Sequence, residues 1–453
     1  MNPRVLMLGW EYPPYINGGL GIATTGLAAA LGEITPLQLI VPRAQVDLNP
    51  HAFDLIGLNQ QKKRWVSQKK YRDKIIEEKL RKVKLSYVNV DLQGYEIEPK
   101  ILRKSIQTES FFTVKRVVRE AYVEKVEVVE EQEGFQLSQN YGKNLIEKVT
   151  EYGEWVREIV RDQDFDLIHA HDWMTFLAGL ELKALYDKPL VLHIHSLTYD
   201  RQGPEARGWV YELERHAMNQ ADIVIPVSRY TASVITQYYG ISPHKLSPVY
   251  NGIAPQEPYR TPKPFKERLV VFLGRITGQK GPEYFYQAAK KLLARDPNVR
   301  FVVAGKGDLI DPMIRQTAKD RLGDRIHFTG FMEPDRVTDM LSMADLYIMP
   351  SVSEPFGLSA LEAAQMDVPC IISETSGVAE VLPHAIQVDY AKTDTMARMM
   401  YALLHDREWR HRITQGQQAD LKHLTWTKSA KEVMRIYQQL FNPNSATRAA
   451  QPA

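Results

Sequence analysis

The chain has 453 residues, 44% of them hydrophobic and 25% charged, so it is long enough for two globular domains of ordinary composition. Its formal net charge is only +2, which gives no reason to expect a nucleic-acid partner. One cysteine, Cys370, excludes an intramolecular disulfide. No apolar stretch reaches the ~18 residues of a membrane span, and the N-terminus lacks a signal-peptide pattern, so a cytoplasmic protein is expected.

Short apolar runs alternate with helical stretches in two series. The first series comprises residues 5–8, 166–170, 189–195 and 221–226. The second comprises residues 269–274, 299–304, 326–328, 346–349 and 369–372. Short apolar strands that alternate with helices are typical of parallel sheets covered by helices on both faces. The sequence therefore predicts an α/β protein with two doubly wound, Rossmann-like domains.

A proline-rich segment, residues 251–264, separates the two series and has the composition of a domain linker. We therefore expect an N-terminal domain over residues 1–255 and a C-terminal domain over residues 256–426. An amphipathic helix is predicted near residues 427–441, and residues 442–453 are expected to be a disordered tail.

Residues 56–135 are predicted to be a charged insertion in the first domain. Between Lys62 and Lys84 the insertion has 11 basic and 3 acidic residues. Such a run favours a solvated surface; the alternatives are an acceptor-binding surface or a weak contact with an anionic membrane surface.

The most informative segment is residues 351–364, with the sequence SVSEPFGLSALEAA. It follows an apolar strand and is predicted to open a helix near Gly357, where the free N–H groups of Gly357 and Leu358 favour an anion. Two carboxylates accompany this helix start, Glu354 in the loop and Glu362 in the second turn. A sugar nucleotide needs N–H groups for its phosphates and carboxylates for its hydroxyls, so the segment predicts a nucleotide-sugar site.

This segment resembles the E-P-F-G-L-x-x-L-E-A signature of retaining glycosyltransferases of the GT-B architecture. It is similar to glycosyltransferase family 4 and to the archaeal-type glycogen synthases. The resemblance implies two Rossmann-like domains that face a central cleft, with Glu354 near the donor sugar and Glu362 on the nucleotide ribose. The structural alternative is an ordinary helix with an acidic N-terminus.

Two cations follow the first strand of the second domain, in the segment GRITGQKG of residues 274–281. Ligands of open α/β sheets bind beyond the carboxyl ends of the strands, where Arg275 and Lys280 are expected. A guanidinium fork with a flexible ammonium suits a leaving diphosphate. The segment resembles the G-R-x-x-x-Q-K-G element of the same enzymes, which implies that role; solvent-facing loop cations are the alternative.

A glycine-containing loop precedes the first helix and includes Gly19 and Gly21. Glycines at this place let the backbone approach a ligand closely, so Gly19 is expected beside the donor diphosphate. Thr24 occupies the third glycine position of a dinucleotide fingerprint, which excludes a Rossmann dehydrogenase. The loop resembles the K-x-G-G-L element of bacterial starch and glycogen synthases, except that Ile16 replaces the lysine.

Histidines follow two strands of the first domain, in the segments HAHDW, which contains Asp172, and HIHSL, which contains His195. They resemble the H-x-H-D-W and T-x-H-N-L elements of glycogen synthases, which implies that Asp172 and His195 approach the donor sugar. Ser196 stands where many members have asparagine. Since no further ligand has metal-site spacing, we expect no metal, and His169 and His171 are alternatively satisfied interior histidines.

The family resemblance favours a glycogen or starch synthase-like enzyme that transfers a hexose, glucose in the leading hypothesis, from UDP-, ADP- or GDP-sugar to a glycan with retention. It implies front-face attack assisted by the leaving phosphate and no metal cofactor. A hexosyl- or mannosyltransferase of polysaccharide or glycolipid synthesis is the alternative. An alternative of another class is a nucleotide-sugar-binding protein without turnover. The sequence leaves the base, the sugar and the acceptor open.

Overall fold

The computed structural model describes residues 2–45, 49, 52–67, 74–77, 115–118, 127–137, 141 and 144–441, and for residues 62–133 it describes the backbone alone. The predicted tail at 442–453 therefore lies outside the described residues. The same holds for the side chains between Lys62 and Lys84 and for the surface contacts predicted for them.

Parallel strands form the centre of the N-terminal half. The strands are β1 (Val5–Leu8), β2 (Leu37–Val41), β3 (Asp54–Gly57), β4 (Lys62–Ser67), β5 (Lys74–Glu77), β6 (Lys115–Val118), β7 (Glu127–Glu133), β8 (Leu167–His171), β9 (Leu190–Ile194) and β10 (Ile223–Pro226). A six-stranded parallel sheet has the order β3-β2-β1-β8-β9-β10. Outside it, β4 pairs with β7 and β5 pairs with β6, both antiparallel. Residue 56, where the insertion was predicted to begin, belongs to edge strand β3.

Helices cover both faces of this sheet. They are α1 (Gly19–Gly32), α2 (Leu145–Ile159), α3 (Trp173–Tyr186), α4 (Thr198–Gln202), α5 (Trp209–Gln220) and α6 (Arg229–Tyr239). Alternate residues of β1 serve the two faces: Leu6 packs in the core formed with α2, α3 and α5, whereas Met7 packs with α1. Burial on both faces explains why these strands are continuous apolar runs.

The C-terminal half repeats this plan. Its strands are β11 (Arg268–Leu273), β12 (Val299–Ala304), β13 (Ile326–Gly330), β14 (Leu346–Met349), β15 (Cys370–Ser373) and β16 (Ile386–Val388). Its helices are α7 (Pro282–Leu293), α8 (Ile310–Lys319), α9 (Pro334–Met343), α10 (Leu358–Gln365), α11 (Thr393–His405), α12 (Arg407–Leu421) and α13 (Trp426–Phe441). The parallel sheet has the order β13-β12-β11-β14-β15-β16. The predicted α/β class with two doubly wound sheets is confirmed.

Both sheet orders reverse direction next to their first strand, between β1 and β8 and between β11 and β14. Ligands of open α/β sheets bind in the crevice at this switch point, beyond the carboxyl ends of the strands. The loops that leave these four strand ends carry the glycine loop, the first histidine motif, the Arg275–Lys280 loop and the Glu354 loop. The topology therefore places the predicted motifs where each sheet can hold a ligand.

The last helix, α13, returns to the N-terminal half and packs against α1. A side chain on Gly26 would overlap the indole of Trp426, and Tyr437 Oη lies 2.5 Å from His169 Nδ1 beneath the first sheet. Tyr437 is also part of the apolar core that contains Met7. Among the helices of the described residues, none has both the length and the apolar character needed to cross a membrane.

Candidate active site

The start of α10 offers two backbone N–H groups to a ligand. Gly357 precedes the helix with a φ of +112°, a conformation that favours glycine. A Cβ there would also lie 3.0 Å from Met349 Cε and 3.0 Å from Val378 Cγ1. Within the described part of the chain, the N–H groups of Gly357 and Leu358 have no acceptor. With the helix dipole they are able to donate hydrogen bonds to an anion placed at the helix start.

Glu354 is buried beside this helix start and pairs with a cation. Its carboxylate forms an ion pair with Lys280 and accepts a hydrogen bond from Ser351 Oγ at 3.2 Å. The backbone N–H of Glu354 donates to Thr375 O, and its carbonyl accepts from the N–H of Gly377. The loop is thus fixed on both sides, and the side chain faces the ammonium that the sequence assigned to the diphosphate.

A glutamine that the sequence analysis did not assign links the two loops of this half. Gln279 is buried, accepts from Arg275 Nη2 at 2.9 Å and donates to Ser353 O at 3.2 Å. At Gly281, which has a φ of +64°, a Cβ would overlap the carbonyl oxygen of Pro350. Close backbone approach and the Gln279 bridge therefore bring Arg275 and Lys280 to the Glu354 loop. The only sequence signal for Gln279 was its place in the G-R-x-x-x-Q-K-G pattern.

Glu362 lies in the second turn of α10, four residues after Leu358. Residues at this spacing share one face of a helix, so the carboxylate lies one turn below the free N–H groups. Burial raises the pKa of Glu362 above its ordinary value. The structure thus places Glu362 on the helix that begins after Gly357, within two turns of that residue.

In the opposite half, Asp172 holds the turn that carries His195. Its Oδ1 accepts hydrogen bonds from the N–H groups of His195 at 2.7 Å and Ser196 at 3.3 Å. Asp172 is buried with a φ of +57° and a ψ of 168°, a strained conformation outside glycine. Burial raises the pKa of its carboxyl to about 7, although the hydrogen bonds from the two N–H groups lower that pKa. The side chain therefore connects the ends of β8 and β9.

Four histidines form a buried stack at these strand ends. The ring planes of His169 and His193 differ by 13°, as do those of His193 and His195, and His171 Nδ1 lies 2.9 Å from His195 Nε2. Burial lowers the pKa of all four, that of His195 to about 3. The imidazoles are therefore neutral at pH 7. His195 Nδ1 is buried and has no hydrogen-bond partner among the described residues.

The histidine stack also contains three rings close enough to be tested as a metal centre. One ring nitrogen of each of His169, His171 and His193 lies within 4.8 Å of the others. A metal must lie in the plane of every imidazole that binds it, at about 2.0–2.1 Å from each nitrogen. The planes of His169 and His171 are only 13° and 21° from that of His193, with ring centres 5.3 and 5.0 Å away. The rings of His169 and His171 are tilted by 33° to each other, with centres 4.4 Å apart. Because both are stacked on the ring of His193, the three do not converge on one ion, so this orientation does not fit a metal centre.

The starts of α1 and α10 face each other across the two halves. A Cβ placed on Gly19 would lie 3.6 Å from Leu358 Cδ1. The loop before α1 is held by Glu11, a buried carboxylate that accepts from the N–H groups of Asn17 and Gly21, each at 3.2 Å. Sequence reasoning missed Glu11, whose role depends on how the loop folds back over it. The structure thus brings Gly19 and Leu358 together, as expected for two elements of one site.

Further bonds between the halves involve residues that sequence reasoning missed. Ser353 Oγ donates to Asp200 Oδ1 at 2.5 Å and lies 2.9 Å from Tyr230 Oη. Ser228 Oγ donates to Pro355 O at 2.6 Å. Burial raises the pKa of Asp200, which the hydrogen bond from Ser353 opposes. The residues on either side of Glu354 are therefore held by the N-terminal half.

Two family models match the chain where these loops lie. The model described as "Glycosyl transferases group 1" matches residues 255–420, and the model described as "Glycosyltransferase Family 4" matches residues 125–257. Both models are glycosyltransferase models, and together their matches span residues 125–420 of the chain. The family predicted from the E-P-F-G-L and G-R-x-x-x-Q-K-G segments is thereby confirmed.

Similar proteins match the chain over about half to nearly all of its length. An uncharacterized glycosyltransferase of Methanocaldococcus jannaschii is 26% identical over 96% of this chain and 97% of its own length. A glycogen synthase of Mycobacterium tuberculosis is 30% identical over 48% of this chain and 54% of its own. The catalytic domain of starch synthase IV from Arabidopsis thaliana, solved with ADP and acarbose, superposes with a TM-score of 0.64 at 16% identity over 97% and 99% of the two chains. The last likeness shows a shared fold.

Proposed function

We propose that this protein transfers a hexose, glucose, from a nucleoside diphosphate sugar to a glycan acceptor with retention of the anomeric configuration. The observation that carries the proposal is the buried pair of Glu354 and Lys280 beside the free N–H groups of Gly357 and Leu358. A carboxylate, an ammonium and a helix start at one point can bind a sugar hydroxyl and a diphosphate together.

In this proposal Lys280 breaks its ion pair with Glu354 and binds the donor diphosphate. The phosphates accept hydrogen bonds from Lys280, Arg275 and the start of α10, and Gly19 lets the backbone of the other half approach them. Glu354, released from its cation, orients the donor sugar, and Glu362 binds the ribose hydroxyls. The two cations and the helix start neutralise the charge that develops on the leaving diphosphate, so the reaction needs no metal ion.

The N-terminal half would act on the sugar and the acceptor. The neutral His195 ring has an unpartnered nitrogen for a sugar hydroxyl, and Asp172 holds the turn on which His195 stands. No carboxylate is assigned as a covalent nucleophile, in contrast to retaining glycosidases. The acceptor hydroxyl instead attacks the face from which the diphosphate leaves, and a phosphate oxygen accepts its proton. Closure of the two halves excludes water, which would otherwise compete as acceptor.

A glucan is the acceptor that the relatives support. One relative is named a glycogen synthase, and the plant starch synthase that shares the fold was solved with ADP and the oligosaccharide analogue acarbose. Both sides of the site contain motifs that match glycogen synthases. Those in one half include Asp172 and His195, and the one in the other half includes Glu354. These similarities favour transfer of glucose to an α-glucan over transfer of mannose to a glycolipid.

The experiment is a two-stage assay of the purified full chain. Thermal shift with UDP-, ADP- and GDP-linked glucose and mannose identifies the donor, because a ligand that binds only the folded state raises the melting temperature. The selected donor is then incubated with maltooligosaccharide, and released nucleoside diphosphate and the anomeric proton of the product are followed by NMR. We expect a lengthened α-linked glucan. Donor binding without diphosphate release on any acceptor would identify a binding protein, and a β-linked product would exclude retention.

A further inference from the structure

A second polar cavity lies at the opposite end of the C-terminal sheet from the candidate active site. It is an open cavity of about 600 Å³ between α12 and the segments that enter β14 and β15. Arg260 marks its position, since its guanidinium donates to Ala344 O at 2.7 Å and to Asp367 O at 2.9 Å, just before those strands begin. The loop of Glu354 leaves β14 at the other, carboxyl end.

Positive charge dominates the lining of this cavity. The charged side chains are those of Arg260, Arg407, Arg410 and Asp367, which sum to +2 when three arginines are set against one aspartate. Along the described residues, none of the three guanidinium groups has a carboxylate within 4.0 Å. Elsewhere in the same half, arginines do find such partners: Arg300 and Arg325 both pair with Glu267.

Two of the three arginines are held in place by backbone carbonyls, which leaves other donors free for a ligand. Arg410 Nη1 donates to Leu403 O at 3.1 Å and Leu404 O at 3.2 Å, whereas its Nε and Nη2 have no acceptor in the described part of the chain. The side chain of Arg407 makes no hydrogen bond or ion pair with another described residue. Burial lowers the pKa of Arg410, the charge of Asp345 raises it, and the charges of Arg268, Arg260 and Arg407 lower it. The cations therefore lie close enough to repel one another, and an anion between them would relieve the repulsion.

The first turn of α12 contributes to the same potential. Arg407 is the first residue of this 15-residue helix, and the side chain of the preceding Asp406 accepts from the N–H of Trp409. The Asp406 carboxylate opposes the positive end of the helix dipole there, so the three guanidinium groups supply the field that attracts an anion. Arginine forks match the geometry of phosphate oxygens, and the cavity has room for more than one phosphate group.

We propose that the cavity lined by Arg260, Arg407 and Arg410 is a binding site for a small phosphate-bearing anion, separate from the donor site. The two sites are on opposite ends of the sheet, so the anion does not compete with the donor diphosphate. The cavity is connected to the donor helix: Gln418 on its wall donates to Ala364 O, near the end of α10, at 2.9 Å and to Asp367 Oδ1 at 2.7 Å.

The test titrates inorganic phosphate into the full chain by calorimetry, with chloride at matched ionic strength as the blank. The main variant is Arg407→Gln, because the Arg407 side chain bonds to no other described residue. Arg412→Gln is the matched control, since Arg412 is an exposed residue of the same helix that does not line the cavity. Arg275→Gln reports on phosphate that binds in the donor site instead.

We expect a phosphate affinity that falls at least about 10-fold in Arg407→Gln, the effect of losing one charged hydrogen-bond partner. Arg412→Gln should bind phosphate like the parent, and Arg275→Gln should keep the phosphate binding that Arg407→Gln loses. Three results would overturn the proposal: no phosphate binding to the parent, equal binding to Arg407→Gln and the parent, or loss of binding in Arg275→Gln alone. Circular dichroism of each variant establishes that it is folded.

Discussion

The ammonium of Lys280 and the carboxylate of Glu354 form a buried ion pair between two loops that lie 74 residues apart in sequence. The side chains are only 19% and 7% exposed, so each ion depends on the other for its charge partner. A buried charge whose partner is removed is strongly destabilised. When the donor binds, its diphosphate must therefore replace Glu354 as the anionic partner of Lys280. A hydroxyl of the donor sugar must in turn donate a hydrogen bond to Glu354.

Replacing either cation of this loop should weaken binding of the nucleoside diphosphate. For Arg275→Ala and Lys280→Ala we expect a loss of about 1.5–3 kcal/mol each, because a charged hydrogen-bond partner is removed. Calorimetry with the diphosphate of the selected donor measures it. Lys306→Ala, which removes an exposed lysine of the neighbouring loop, is the control. Unchanged affinity in both loop variants would move the phosphate site elsewhere.

His171 should position His195 without touching the donor. The hydrogen bond between His171 Nδ1 and His195 Nε2 fixes which nitrogen of His195 faces the site. For His171→Leu we expect the turnover number to fall about 10-fold, the effect of one neutral hydrogen bond, while the donor dissociation constant stays within about two-fold. His169→Phe is the control, because His169 bonds to Tyr437 instead. If both variants lose turnover equally, the stack acts through packing alone.

Asp172 should make stability depend on pH in a defined direction. Burial raises the pKa of the folded-state carboxyl from 3.8 to about 7, so between those values the folded protein holds a proton that the unfolded chain has lost. The contribution of Asp172 to the free energy of unfolding therefore decreases as pH rises from about 4 to 7. An asparagine keeps an oxygen for the N–H groups of His195 and Ser196 but does not titrate.

Urea unfolding of the parent and Asp172→Asn at pH 5 and pH 8 measures this effect. The difference between variant and parent should favour the variant more at pH 8 than at pH 5. The histidines and Glu214, another buried carboxyl whose pKa burial raises to about 7, titrate in both proteins and cancel in the difference. An equal difference at the two pH values would show that Asp172 titrates near its ordinary value.

The sequence carries the local part of this site, because a strand end, a loop and a helix start are encoded within a few residues. In this way the sequence places Glu354, Gly357 and Glu362. The positive φ of residue 357 explains why a glycine occupies that position. The sequence predicted Arg275 and Lys280 at the end of the first strand of the second domain, and the structure finds them after β11.

The remaining features depend on contacts between distant segments. The bond from Ser353 to Asp200 spans 153 residues, and a serine beside an apolar strand gives no sign of such a partner. The histidine motifs indicated two strand ends of the first domain. The stacking of the rings follows from the pairing of those strands, in which His171 of β8 is opposite His193 of β9. Strand β2 and its neighbour at the sheet edge, β3, were not predicted, since each is a short run without a motif.

Transfer should survive chelation of divalent cations. Lys280, Arg275 and the start of α10 can neutralise the leaving diphosphate, and the orientation of the histidine rings does not fit a metal centre. We expect the rate in excess EDTA to stay within about two-fold of the untreated rate, a barrier change below about 0.5 kcal/mol. A rate that collapses in EDTA and returns with magnesium or manganese would contradict this prediction.

The most direct test of the account is the transfer rate of Glu354→Gln with the donor and acceptor that the parent uses. Glu374→Gln, which changes an exposed glutamate near the end of β15, is the matched control. The account predicts a turnover at least ~100-fold below that of the parent, the scale of one lost electrostatic contact in the transition state. Affinity for the nucleoside diphosphate should be undiminished, because Lys280 no longer has to leave Glu354. A turnover near that of the parent in Glu354→Gln would remove Glu354 from the reaction and contradict the proposed site.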